Sequence, residues 1–326
     1  MPTSLEPAEA FVHRWHASIA ADDGEDAKGG TAAEIALQET AQHTKNYAKH
    51  YYYGLPAPND LLETPRLNHQ HELFKLTAHG ALHIAPLNAS SVRRVLDTCT
   101  GTGVWAKEMA ERYPNAQVVG VDLTVVDGAG APANSEFHVK NVEEEWGFNE
   151  PFDFIHGRMI VVAITDWPAY LRRCYANLRP GGWLEIQDLS FPLGCSDGSA
   201  GPESAIMQWG KYMVDANREL GRIYGDDLQN FEAMFTDAGF TGFHQEMFTW
   251  PNNTWPKDPH EKLKGALSYK NVMDGIESFT SMSFQRALGW SPERINDLIQ
   301  RAKVDLGDTE KHAYIPIKFI YAQKPE

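Results

Sequence analysis

Cysteine is scarce in this chain of 326 residues: Cys99, Cys174 and Cys195 are all it has. Three scattered thiols cannot build a disulfide framework, and they show no zinc-type spacing, so neither staples nor a metal are expected. A reducing compartment, the cytosol or the nucleus, is the expected setting. Basic clusters are missing too. With 29 Lys and Arg against 44 Asp and Glu, the formal net charge is −15. That argues against a nucleic-acid partner, because phosphate backbones are held by Lys and Arg. No apolar stretch approaches the roughly 18 residues of a membrane span, and no basic segment with an apolar core opens the chain, so neither membrane nor secretion is expected. No Ser-His-Asp order, paired glycosidase carboxylates or P-loop stands out.

What the chain does have is 42 % hydrophobic residues, enough for a substantial core, and one strongly patterned stretch, VRRVLDTCTGTGVWAKEMAERYPNAQVVGVDL from Val92. An apolar strand over 92–96 runs into Asp97. The loop Thr98-Cys99-Thr100-Gly101-Thr102-Gly103 follows. The spacing of Trp105, Met109 and Tyr113 then predicts a helix with one apolar face, closed by Pro114. A second strand, 117–121, delivers Asp122. In an open parallel sheet, ligands sit at the carboxyl ends of strands. Glycines at 101 and 103 would let backbone approach a ligand closely, and an acid ending the second strand suits ribose hydroxyls. The G-x-G-x-x-G fingerprint is incomplete, since Val104, Trp105 and Ala106 follow Gly103. Asp97 would repel a pyrophosphate but suits a cofactor with an ammonium and a sulfonium.

These residues carry a resemblance. VLDTCTGTG resembles the first motif of class I S-adenosylmethionine-dependent methyltransferases, and GVDL their second. With FHVKNVEEEW, FDFIHGRMI, DWPAYLRRCYANLRPGGWLEIQDL and the closing IYAQKP, about residues 45–326 resemble the fungal LaeA-like methyltransferases of secondary metabolism. The resemblance implies an α/β, Rossmann-like class I methyltransferase fold. Its sheet would be seven-stranded and mostly parallel, with an N-terminal helical cap and helical insertions. The implied cofactor is S-adenosyl-L-methionine, leaving as S-adenosyl-L-homocysteine. Its contacts are expected at Asp97, Cys99, Gly101 and Gly103, at Asp122 and Leu123, and at Asn141, Val142 and His156. Asn141 and Val142 would meet the adenine. Cys99 stands where many family members have glycine.

Methyl transfer asks the protein to align a nucleophile with an already activated methyl group and to exclude water. A phenol or thiol acceptor gains from a base near neutral pKa; a carboxylate acceptor needs none. His156 is the candidate base, set against the plainer reading that it holds its loop by hydrogen bonding. By resemblance Arg158 and Met159 line the transfer cleft. Tyr52 and His69 from the cap, and Trp209 and Tyr212 from an inserted helix, are candidate acceptor contacts. Three readings follow: a methyltransferase acting on a small-molecule, aromatic or polyketide-like secondary metabolite; a LaeA-like regulator working in a protein complex, for which the nucleus is a suitable location; and a methyltransferase fold turned to another reaction, such as cyclisation.

Along the chain, residues 1–33 are polar, acidic and Gly-rich, the signature of a mobile segment. Phe11, Val12, Trp15 and Ile19 form a face that could meet a partner chain, which leaves a homodimer open. Residues 34–91 read as a helical cap, and 92–326 as the catalytic domain with lid insertions at about 191–225 and 251–310. His79 and His83 share a helical spacing, but Gly80 interrupts it. The acidic run Glu143-Glu144-Glu145 reads as a solvated face. Asp166 and Pro168 should start a helix with Leu171, Cys174, Tyr175 and Leu178 as its apolar stripe. Strands are expected over 152–155, 183–187, 240–248 and 312–323, and Pro316 suggests a strand end or edge.

Overall fold

The computed structural model describes residues 63–124, 126, 128–222 and 230–326. The readings made on residues 1–62, Tyr52 included, lie outside the described residues. In chain order the elements are α1 (Glu63–Thr77), β1 (Arg94–Thr98), α2 (Val104–Arg112), β2 (Gln117–Asp122), β3 (Ser135–Val139), β4 (Phe152–Arg158) and α3 (Trp167–Asn177). Then come β5 (Leu178–Leu189), α4 (Ala205–Glu219), α5 (Phe231–Asp237), β6 (Thr241–Pro251), α6 (Pro259–Leu288), α7 (Pro292–Gly307) and β7 (Tyr314–Gln323).

The strands form one seven-stranded sheet in the order β3-β2-β1-β4-β5-β7-β6. The pairs among β1 to β5 are parallel, and β7 runs antiparallel between β5 and β6. Strand order reverses between β1 and β4, so a crevice opens at their carboxyl ends. Pro316 lies inside β7, yet it still marks an end. The β5–β7 register stops at Leu189 and Ile317, and the Pro316 carbonyl accepts the Ser190 N–H at 2.8 Å. Its missing N–H falls where β5 pairing has finished.

Alternate residues of the strands point to opposite faces. On one face Trp105, Ala106 and Met109 of α2 are buried against Val95, Val118 and Phe154. Burying such large side chains stabilises the fold by about 1.5–3 kcal/mol each. On the other face lies α3. Its N-cap Asp166 accepts the Ala169 N–H at 2.9 Å, with proline in the first turn, and Tyr170, Leu171 and Cys174 are fully buried.

The remaining helices pack on one another. The indole N–H of Trp209 in α4 donates to Thr280 Oγ1 of α6 at 2.8 Å. The Ile206 N–H, at the start of α4, donates to Asp305 of α7 at 3.1 Å. Arg66 of α1 reaches Asn271 of α6 at 2.8 Å and lies over the Phe279 ring. Among the described residues, no helix is long and apolar enough to cross a membrane.

Three local expectations need correction. The helix before β1 stops at Thr77, and the left-handed His79 and Gly80 turn the chain. Leu82 therefore joins the α2 core from a non-helical segment, and His79 and His83 share no helix. β4 extends to Arg158, because His156 and Gly157 pair with Asp97 and Thr98 on one side and with Glu185 and Ile186 on the other. Finally, α3 ends at Asn177, so Leu178, expected in its apolar stripe, already begins β5.

Candidate cofactor and acceptor site

The loop after β1 owes its shape to three left-handed residues, Cys99 (φ 54°), Gly101 (φ 59°) and Gly103 (φ 75°). The Thr100 N–H donates to the Val121 carbonyl at 2.9 Å, and the Gly103 N–H to the Thr100 carbonyl at 3.0 Å. A left-handed non-glycine residue costs roughly 1–2 kcal/mol, which explains why glycine is favoured where Cys99 stands. Burial, with Asp122 and Asp97 nearby, keeps the Cys99 thiol well above its usual range.

The two glycines do different work. A Cβ on Gly101 would meet only Leu67 of α1, at 3.9 Å, so that face of the loop is open. A Cβ on Gly103 would stand 2.7 Å from Phe137 and 2.8 Å from Val126. Gly103 lets the start of α2 close onto β3, whereas Gly101 leaves a path to the backbone. Above the loop, Thr102 Oγ1 donates to Asn68 of α1 at 3.0 Å.

Two carboxylates flank the loop. Asp122, half-buried at the end of β2, accepts the Gly101 N–H at 2.8 Å and the N–H and hydroxyl of Thr124 at 3.2 and 3.0 Å. Burial raises its pKa, and these donors oppose the rise. The Lys140 N–H donates to the Asp122 carbonyl at 2.8 Å, bringing 140–142 alongside. Here Val142 is buried, while the Asn141 amide is engaged with Glu143 and Glu144. Leu123 is half-buried next to Asp122. Of the acidic run, Glu144 and Glu145 are exposed as expected, while the Glu143 carboxylate accepts the N–H and hydroxyl of Thr165, each at 2.7 Å, tying two loops together.

Asp97 is buried. His156 Nδ1 lies 2.7 Å from its Oδ1, and the Thr100 hydroxyl donates to its Oδ2. The His156 ring is stacked on Trp105 with centroids 3.7 Å apart and planes 5° apart. His156 is fully buried. Burial lowers its pKa, against the pull of Asp97. This enclosure, with Nδ1 turned to Asp97, supports the plainer reading that His156 holds its loop by hydrogen bonding.

On the other side of the crevice, Arg158 ends β4 half-buried, its guanidinium over the Phe74 ring at 5.0 Å and its pKa lowered to about 10 by burial. Met159 follows in a left-handed conformation (φ 56°). Phe74 packs edge-on against Trp250, centroids 4.7 Å apart, and Trp250 donates to Thr77 at 2.7 Å. Asp188, at the end of β5, accepts the N–H groups of Ile160 and Val161 at 2.8 and 2.7 Å, which fixes the loop after β4.

The other acceptor candidates fall elsewhere. Trp209 is buried between α4 and α6, and Tyr212 packs on Trp290 with centroids 4.6 Å apart. Both are helix-packing residues. His69 faces Lys270 and Asp274 of α6, and burial lowers its pKa first of all. Among the described residues one trio, His71, Glu72 and Glu108, puts ligand-type atoms within 4.8 Å of one another. Lys75 Nζ sits 3.1 Å from both Glu72 and Glu108, so a protein ammonium already pairs with these acids. The sequence reading missed Thr100, the partner of Asp97, although a hydroxyl three residues after a motif acid was visible. It also missed Asp188, whose signal was a polar residue ending an apolar strand.

With this geometry in view, residues 69–245 match the family described as a methyltransferase domain. The chain is 36 % identical over 285 residues to methyltransferase pytC of Aspergillus terreus, an alignment covering 87 % of each. It is 31 % identical over 315 residues to the secondary metabolism regulator laeA of Aspergillus fumigatus, covering 96 % of this chain and 83 % of that one. A solved structure of Haemonchus contortus phosphoethanolamine N-methyltransferase 2 with S-adenosyl-L-methionine is 20 % identical, with a TM-score of 0.44, and the match covers 81 % of this chain and 53 % of that one. The chain belongs to the methyltransferase-domain family, among the fungal LaeA-like, S-adenosylmethionine-dependent methyltransferases of secondary metabolism.

Proposed function

We propose that this enzyme transfers the methyl group of S-adenosylmethionine to a small-molecule secondary metabolite, aromatic or polyketide-like in character. The residues fit the cofactor. The loop face at Gly101 is open, a half-buried carboxylate ends β2, and apolar Val142 lies beside it. Gly101 and its neighbours would meet the methionine end, Asp122 the ribose, and Asn141 with Val142 the adenine. When bound, the cofactor supplies an electrophilic methyl on a good leaving group. The chain's own part would be to hold the acceptor's nucleophilic atom in line with that methyl and to exclude water, the acceptor's proton leaving to solvent.

The observation that carries the acceptor class is the Phe74–Arg158 contact. It holds the half-buried Arg158 guanidinium against the buried Phe74 ring at the carboxyl end of β4, and a guanidinium fixed there suits an acceptor bearing phenolate or carboxylate oxygen. Similarity to laeA favours a second reading, regulation within a protein complex. Incubating purified protein with methyl-labelled cofactor and a fungal metabolite extract, followed by mass spectrometry, tests the choice. A labelled small-molecule product supports the proposal. Cofactor binding without any labelled small molecule, together with a stoichiometric protein partner, overturns it in favour of the regulator.

A further inference from the structure

Asp97 is a motif acid, yet it is 2 % exposed and both of its oxygens are held by protein groups. The position of a carboxylate so placed is set by its neighbours. One neighbour, Thr100, is part of the glycine loop, and its carbonyl accepts the N–H of Gly103, the residue that caps α2. The other neighbour, His156, comes from β4, across the reversal of strand order. Trp105 of α2 clamps its ring in parallel stacking at 3.7 Å. The contacts run His156 to Asp97 to Thr100 to Gly103, from the floor of the crevice to the backbone that would face the cofactor.

We propose that His156 is a positioning residue for cofactor binding: a neutral imidazole that donates its Nδ1–H to Asp97 and so holds the Asp97–Thr100 pair, and with it the loop 98–103, in the shape that receives the methionine end of S-adenosylmethionine. The enclosure of the ring supports the neutral form, since burial opposes a second proton. The stack on Trp105 fixes the ring plane, so the donor points at one carboxylate oxygen and not at solvent. The inference depends on cofactor binding, which the family establishes, and not on the acceptor proposed above.

Two substitutions separate the hydrogen bond from the packing. His156→Phe keeps a ring to stack on Trp105 and removes the donor. His156→Asn loses the stack but places an amide N–H near the position of Nδ1. S-adenosylmethionine affinity, read by titration calorimetry without any acceptor, should fall about tenfold or more in His156→Phe, the scale of a lost hydrogen bond to a charged group. His156→Asn should remain within about threefold of the parent, the smaller change expected when the donor is kept. In an Asp97→Ala background, which removes the acceptor, the penalty of His156→Phe should largely disappear, because the two residues act through one contact. Circular dichroism confirms folding of each variant. Parent-like affinity in His156→Phe overturns the proposal. So does an undiminished penalty in the Asp97→Ala background, or a tenfold loss in His156→Asn, either of which makes the ring a packing element. Should His156→Phe fail to fold, His156→Leu takes its place as the donor-free variant, with the same tenfold loss expected and parent-like affinity overturning the proposal. Because acceptor turnover is not read, failure here is distinct from failure of the acceptor assignment.

Discussion

The two halves of the crevice are built by different physics. Around β1, α2 and β2, shape comes from backbone held in left-handed conformations and from carboxylates that accept N–H and O–H donors. All of those groups except His156 fall within residues 97–124. Around α1, α4, α6 and α7, shape comes from rings and helix ends whose partners lie far apart in sequence, such as Arg66 with Asn271 and Trp250 with Thr77. The first half answers to a cofactor of fixed chemistry, so a short local pattern can specify it. The second is a packing solution, in which many side chains could serve.

The strongest way to break this contrast is at Gly103. Gly103→Val forces a Cβ to within 2.7 Å of Phe137 in a residue at φ 75°. Overpacking and left-handed strain together should cost about 2–5 kcal/mol, with cofactor binding lost. Gly101→Ala, whose Cβ meets nothing closer than 3.9 Å, should cost only the left-handed strain, about 1–2 kcal/mol. Urea unfolding of the two variants checks the difference. Equal losses would mean that the loop is not divided into a packed and an open glycine.

Next in size is Asp122→Ala. It removes the acceptor of the Gly101 N–H and the proposed ribose contact. Cofactor affinity should drop at least about tenfold, or roughly 1.4 kcal/mol. Calorimetry on a folded variant with unchanged affinity would take Asp122 out of the site. Trp250→Phe probes the other half. It removes the hydrogen bond to Thr77 beneath Phe74 and should lower stability by about 1–2 kcal/mol. The acceptor KM should rise while cofactor affinity stays within about twofold, as expected of distant sites. A large loss of cofactor affinity would show that the halves are coupled.

The same contrast explains what could be read from the chain alone. The loop 97–103, the acid at 122, the α2 face of Trp105 and Met109, and the Asp166 cap follow from local pattern, and the structure has them. The burial of His156 did not follow, because the local apolar pattern ends before it, and only pairing to β1 and β5 keeps the strand going. Trp209 and Tyr212 were misplaced for a related reason. Their periodicity marks an apolar helix face but not what covers it, and α6 and Trp290 do.

The smallest effect concerns the segment 78–93, which joins the halves. His83 lies 2.9 Å from the Ala85 carbonyl and 2.7 Å from the Tyr113 hydroxyl, and burial holds its pKa down to about 4. An unfolded histidine titrates near about 6.5. The unfolded chain therefore binds a proton that the native chain refuses. The stability contributed by neutral His83 is complete above about pH 6.5 and is lost as pH falls toward 4. Glu185 works in the opposite direction. Burial raises it to about 7, so the native state takes its proton first and gains stability as pH falls from about 7 toward the ordinary carboxylate range. Comparing His83→Phe with the parent cancels the Glu185 contribution. At pH 7.5 the parent should melt higher, by about 2–4 °C for each kcal/mol of hydrogen bonding lost. By pH 4.5 that gap should close or reverse, because only the parent carries the cost of a buried imidazole. A gap that stays constant across this range, followed by thermal melts, would show that His83 exchanges its proton as freely in the native chain as in the unfolded one.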